Sequence, residues 1–169
     1  MKNFHLIILL FILSFTASSQ ELSDPVSTSK ITAGVSFGAI FIDTPGFNTN
    51  VFAGYHVSDY FILGVDGMYG QPEINDITVN TTAIQLYAEG RSPSIPVFEK
   101  AGISFSALLG LGHIQHTFEN HNRDAFSVYL GANINLKISQ KITLGLKTGT
   151  YLSEMENVTI NNLFFAYRF

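Results

Sequence analysis

Two groups of residues have the types that do chemistry. His113, His116 and His121, with Glu119 and Asp124, bring three imidazoles and two carboxylates into one short stretch. A divalent metal accepts such ligands, but histidine spacings of three and five match no established zinc pattern, and a solvated polar loop accounts for the same composition. His56 and Ser58 stand two apart, so on a strand they share a face. With Glu89 they could supply base, nucleophile and orienting carboxylate. Against that, Ser58-Asp59 reads as a turn, and a turn serine beside a boundary histidine needs no catalytic role. No glycine-rich phosphate loop is present. The sequence therefore nominates no catalytic, cofactor-binding or metal-binding residue.

The elements that hold these groups are set by an unusual solvent. Only 13% of the 169 residues are charged and 46% are hydrophobic, with a mean hydropathy of +0.24, whereas roughly 25% of an ordinary soluble domain is charged. Yet beyond the first twenty residues no apolar run reaches the roughly 18 that a spanning helix requires. Lys2, the apolar stretch Leu6 to Leu13, and the small residues Ala17, Ser18 and Ser19 follow the order of a secretory signal. Residues 1–19 are thus expected to be a signal peptide, 20–29 a short flexible lead-in, and 30–169 one folded domain. There is no cysteine, hence no thiol for a lipid anchor or a disulfide. Without Lys2, eight Lys and Arg oppose 13 Asp and Glu, a formal −5. That balance excludes a basic nucleic-acid surface and disfavours electrostatic binding to anionic lipid.

From Ile31 the apolar residues fall on every second position, the period of a β-strand. Ile31, Val35, Phe37 and Phe41 form the first such face. Val51 to Val57, Phe61 to Tyr69, Ile84 to Ala88, Ile103 to Leu111, Phe126 to Ile138, Ile142 to Leu146 and Leu163 to Phe169 repeat it. Eight strands bring the chain back to its starting side. Their connections sort into short turns at Ser58-Asp59, Ser92 to Phe98 and Ser139-Gln140, and longer polar loops at Asp43 to Asn48, Gln71 to Asp76, Gln115 to Arg123 and Ser153 to Asn157. This predicts an all-β fold, an eight-stranded antiparallel up-and-down transmembrane β-barrel, with turns in the periplasm and loops outside.

Charge decides which face meets lipid. Asp66, Glu89, Arg91, Lys137, Lys147 and Arg168 lie within strands, opposite the apolar residues, and the apolar face carries no charge at all. A lysine or arginine facing lipid at the midplane would cost about 2–4 kcal/mol. The polar face also holds Gly34, Ser36, Gly38, Gly54, Gly64, Ser104, Ser106, Gly131, Gly145 and Gly149, small residues suited to the narrow interior of eight strands. Asp66 and Glu89 are expected to pair with some of the four cations, because an unpaired charge in a closed lumen is costly. Such an interior is a plug. Phe41, Tyr69 and Phe126 on the loop side, and Tyr60, Phe61, Tyr167 and Phe169 on the turn side, suit two interfacial girdles.

The segment Gly54 to Gly64 (GYHVSDYFILG) is similar to the second hairpin of the small outer-membrane barrels of OmpA and OmpX type, porin-like proteins of Gram-negative bacteria. The terminal array Leu163, Phe165, Tyr167, Phe169 resembles the signal read by the barrel-assembly machinery. The resemblance spans Lys30 to Phe169 and implies an outer-membrane location, outer-membrane lipid around the wall, the assembly machinery as a partner during biogenesis, and a surface partner met through the loops. It brings no cofactor and, unlike OmpA itself, no peptidoglycan-binding domain. The function expected is a non-enzymatic barrel with a packed polar lumen and a structural or surface-interaction role. The alternatives are a narrow passive channel for small solutes, or a lipid A-modifying enzyme built on His56, Ser58 and Glu89.

Overall fold

The computed structural model describes residues 30–74, 77–98, 101–118 and 121–169. The expected signal peptide and lead-in lie outside the described residues, as does Glu119. Eight long strands form the wall: β1 Ile31–Phe41, β2 Thr44–Ser58, β3 Phe61–Ile74, β4 Asn80–Arg91, β5 Ala101–Phe118, β6 His121–Lys137, β7 Ile142–Ser153 and β8 Val158–Arg168. Each pairs antiparallel with its neighbours in sequence, and β1 also pairs with β8, so that the sheet closes.

The register fixes the shape. A path across paired residues runs from Phe41 to Thr159, Thr150, Leu130, Leu109, Ala88, Leu63 and Tyr55, and re-enters β1 at Ile31. It returns ten residues from where it left. Such a stagger tilts the strands by about 35–45° and leaves eight strands room only for packed side chains.

Strand alternation sorts the faces as the period requires. Val51, Leu86, Leu109, Phe126 and Leu163 stand exposed on the outer wall, while Ser36, Asn50, Asp66, Gln85 and Lys147 are buried within. On β5 the outward residues are apolar from Ile103 to Leu111 and give way to His113, a span close to the 9–11 residues with which a tilted strand crosses a bilayer. At the turn-side edge Tyr167 and Phe169 meet edge to face at 5.2 Å. Lys30 and Lys141 lie 5.9 and 5.8 Å from the Tyr55 and Tyr167 rings, placing ammonium groups where the wall leaves the hydrocarbon.

The loops depart from expectation. Gln71 to Ile74, Gln115 to Phe118 and His121 to Arg123 are polar in part yet remain strand, paired up to Phe118 with His121. The backbone ladder does not need apolar side chains, so it continues past the membrane, and polarity there marks solvent rather than the end of a strand. Ser92 to Phe98 is likewise more than a turn. Ile95–Phe98 folds back as a short strand on β5, with Ile95 opposite Ile103.

Aromatic rings fill the lumen over glycines. Tyr129 is fully buried and packs against Tyr151 at 4.8 Å between ring centroids. Its ring covers the paired glycines Gly131 and Gly149, and a β-carbon on Gly131 would lie 2.6 Å from Tyr129 Oη. Tyr87 covers Gly54 and Gly64 in the same way, and Phe164 covers Gly145. Here the missing side chain is the space the ring occupies. Toward the loop side, Ile40, Met68, Ile114, Val158 and Ile160 close the lumen with an aliphatic layer.

Two outcomes follow. Gly131→Val is expected to lose about 1–3 kcal/mol through overpacking, recovered in part by adding Tyr129→Leu, as read from urea unfolding in lipid vesicles. Leu109→Arg, half-way up the apolar wall, is expected to cost about 2–4 kcal/mol, and His113→Arg at its edge about 0–1 kcal/mol; equal costs would mean that the belt is misplaced.

Candidate functional site

The lumen gathers most of the polar chemistry. Asp66 on β3 and Lys147 on β7 belong to opposite walls of the ring, and their side chains meet in a buried ion pair. Neither charge could be left inside alone, because removing one partner of a buried pair leaves the other uncompensated. The other Asp66 oxygen accepts a hydrogen bond from Asn50 Nδ2 at 2.9 Å. Lys147 Nζ also lies 5.4 Å from the Tyr129 ring centroid and 5.9 Å from that of Phe52, so aromatic faces share the work of solvating the ammonium.

From Asn50 the network runs up the β1, β2 and β8 side. Asn162 donates to Asn50 Oδ1 at 2.9 Å and to Ser36 Oγ at 3.1 Å, and it exchanges hydrogen bonds with Asn48 at 3.0 and 2.7 Å. These asparagines escaped the sequence reading, which looked for charges. Their signal was parity alone, since they sit at the same alternate positions as the interior glycines and serines.

Nearer the turn side, Glu89 accepts from Arg91 Nε at 2.6 Å. Arg168 is half-buried close to the chain end, with Thr32 its cross-strand partner. Lys137 is a correction. It ends β6, lies exposed and is no member of the lumen network, because the strand has by then passed the level at which the interior is closed. A cavity of about 20 Å³ between Asp66, Glu89, Asn133 and Lys147 has room for about one water molecule.

The two reactive groupings come apart. His56 is buried and its Nε2 bonds Thr32 Oγ1 at 2.7 Å. Ser58 is exposed, and its Oγ accepts from the Tyr60 amide at 3.3 Å. With Glu89 held by Arg91, no base, nucleophile and orienter are assembled. His113 faces outward, 3.6 Å from Asp124 Oδ2, whereas His116 faces inward and its Nδ1 bonds Thr81 Oγ1 at 2.8 Å. An odd spacing on one strand put them on opposite faces. Among the described residues no group of three or more His, Cys, Asp or Glu could hold a metal ion.

Beside this closed antiparallel ring with its apolar outer wall, the chain itself matches a sequence family described as outer membrane protein beta-barrel domain, over residues 7–169. The chain belongs to this family. It is an outer-membrane β-barrel, and its apolar wall is the lipid-facing surface. No curated protein sequence matches it. Similar solved structures include Neisserial surface protein A, 12% identical with a TM-score of 0.58 over 82% of this chain and 96% of that one. The attachment invasion locus protein Ail of Yersinia pestis is 14% identical, with a TM-score of 0.51 over 83% and 97%. The outer membrane enzyme PagL is 12% identical, with a TM-score of 0.52 over 80% and 97%. At these identities the likeness is one of fold.

Leu163, Phe165 and Phe169 are exposed along the outer face of β8, with Tyr167 partly covered between them. For the lumen, Lys147→Met is expected to destabilise the barrel by about 3–5 kcal/mol. The double variant Lys147→Met with Asp66→Asn should recover most of that loss in the same urea titration.

Proposed function

We propose that this outer-membrane barrel is non-enzymatic, that its lumen is a sealed structural plug, and that it acts structurally and through its extracellular hairpins on a partner at the surface. The observation that carries this reading is the double closure of the interior. The Asp66 and Lys147 pair crosses the middle, and the aliphatic layer of Ile40, Ile114, Val158 and Ile160 lies above it. A solute would have to displace both. In this reading outer-membrane lipid surrounds the wall, and the barrel-assembly machinery recognises Leu163, Phe165, Tyr167 and Phe169 during insertion. Two proteins of similar fold are named for the cell surface and for attachment, which agrees with a role played by the outer ends of the strands.

An enzymatic role finds less support, although one similar fold is that of an enzyme. Ser58 and His56 are each engaged elsewhere, and they lie at the turn side of the wall, away from the outer leaflet where lipid A resides. Purified protein in a planar lipid bilayer is expected to show no conductance steps, and cells overproducing it an unchanged lipid A acyl pattern. Regular conductance steps would make it a channel; a changed acyl pattern would make it an enzyme.

A further inference from the structure

One pair of polar side chains stands on the lipid face of the wall. Thr148 on β7 and Asn161 on β8 are cross-strand partners, both exposed on the outer surface, with the exposed pair Leu146 and Leu163 next below. Leu152 is exposed above them. Leu109, half-way up the wall, shares a pairing path with Leu130 and Thr150. The stagger lowers that path by about one residue per strand toward β5, which sets Thr148 within about one residue of the level of Leu109 and Asn161 about two residues above it. Both polar groups therefore lie inside the hydrocarbon, between apolar neighbours.

The threonines meet their own needs. Thr148 Oγ1 donates to Asn161 Oδ1 at 2.7 Å, and Thr150 and Thr159, the next pair above, bond each other at 3.0 Å. The Asn161 amide is different, since neither hydrogen of its Nδ2 has an acceptor among the described residues. Lipid chains offer none, and an unbonded polar group in hydrocarbon is costly. A leucine would carry no such cost, and the next outward positions of the strand are Leu163 and Phe165.

Chemistry restricts the partner. An amide is donor and acceptor at once, so it is complementary to a second amide related to it by a two-fold axis, through two N–H···O bonds. Oδ1 keeps a lone pair for this after accepting from Thr148. A second copy of the barrel presents that same amide at the same depth of the same membrane. The cross-strand neighbours on either side, Ala132 beside Thr148 and Ala39 beside Asn161, project only a methyl group, so that two walls can approach closely.

We propose that Asn161 is the centre of a symmetric dimer interface within the membrane, where two copies of the barrel meet wall to wall across β7, β8 and β1 and exchange amide hydrogen bonds. The interface goes beyond the surface role proposed above, since it lies in the bilayer and requires neither the loops nor the lumen.

Energy transfer between full barrels in phosphatidylcholine vesicles, with and without lipopolysaccharide, tests this. The chain contains no cysteine, so Gln140→Cys in an exposed turn carries a donor dye on one population and an acceptor on another. Transfer that rises with the protein-to-lipid ratio, fits a dimer and is competed away by unlabelled barrel is expected. Asn161→Leu should weaken the association about tenfold, the ratio that two side-chain hydrogen bonds supply in a bilayer, while urea unfolding at low protein-to-lipid ratio is undiminished. Ala39→Phe, which sets a ring beside the amide, should weaken it too, whereas Leu86→Ala on the opposite wall should not. Transfer no greater than chance proximity, transfer untouched by Asn161→Leu, or an equal loss with Leu86→Ala would each overturn the proposal. So would lipopolysaccharide retained through Asn161 without a dimer, which would give the amide a lipid partner instead. None of these results bears on the conductance that tests the plug.

Discussion

In hydrocarbon there is no water to take up backbone N–H and C=O groups, so a sheet can cross a membrane only if it has no edge. The pairing of β1 with β8, from Thr32 opposite Arg168 to Phe41 opposite Thr159, removes the last two edges. Everything else in the molecule answers to that closure. The ten-residue return of the register tilts the strands and sets the width of the ring. That width admits packed side chains but no wide channel, and the alternation of each strand then divides every residue between lipid and lumen.

The interior solves two problems at once. A narrow ring must be filled without voids, and polar side chains pointing inward must find partners away from bulk water. Glycines answer the first, since Tyr87, Tyr129 and Phe164 lie in the space that β-carbons at Gly64, Gly131 and Gly145 would take. The Asp66 and Lys147 pair answers the second, extended by the Asn50, Asn162 and Asn48 amides. Because that ion pair joins β3 to β7, it ties opposite walls together, a link the backbone ladder between neighbours cannot make.

The period of two was legible directly, because lipid punishes any charge on the outer face and leaves a clean record of which side each residue takes. Val51, Leu109 and Leu163 could be placed from their neighbours alone. Three features were not legible in that way. The choice of Lys147 over Lys137 as partner of Asp66 depends on how far the register slips around the whole ring, which no local pattern encodes. Tyr87 and Tyr129 have inward parity, but only the closed ring brings each of them over its glycines. Polar stretches such as Gln115 to Phe118 have the composition of loops, whereas their polarity marks the end of the lipid and the strand continues. The odd spacing of His113 and His116 on one strand places them on opposite faces.

The central claim is that alternate residues of each strand meet lipid and a closed, packed lumen. The chain contains no cysteine, so single cysteines placed in turn from Ser104 to Leu111 can each carry a nitroxide label without background. In lipid vesicles, collision with dissolved oxygen should rise and fall with a strict period of two, high at Phe105, Ala107, Leu109 and Leu111, while a water-soluble nickel chelate reaches none of the eight positions. Nickel collisions at the alternate positions Ser104, Ser106, Leu108 and Gly110 would reveal a water-filled lumen, and oxygen collisions without alternation would contradict the barrel wall itself.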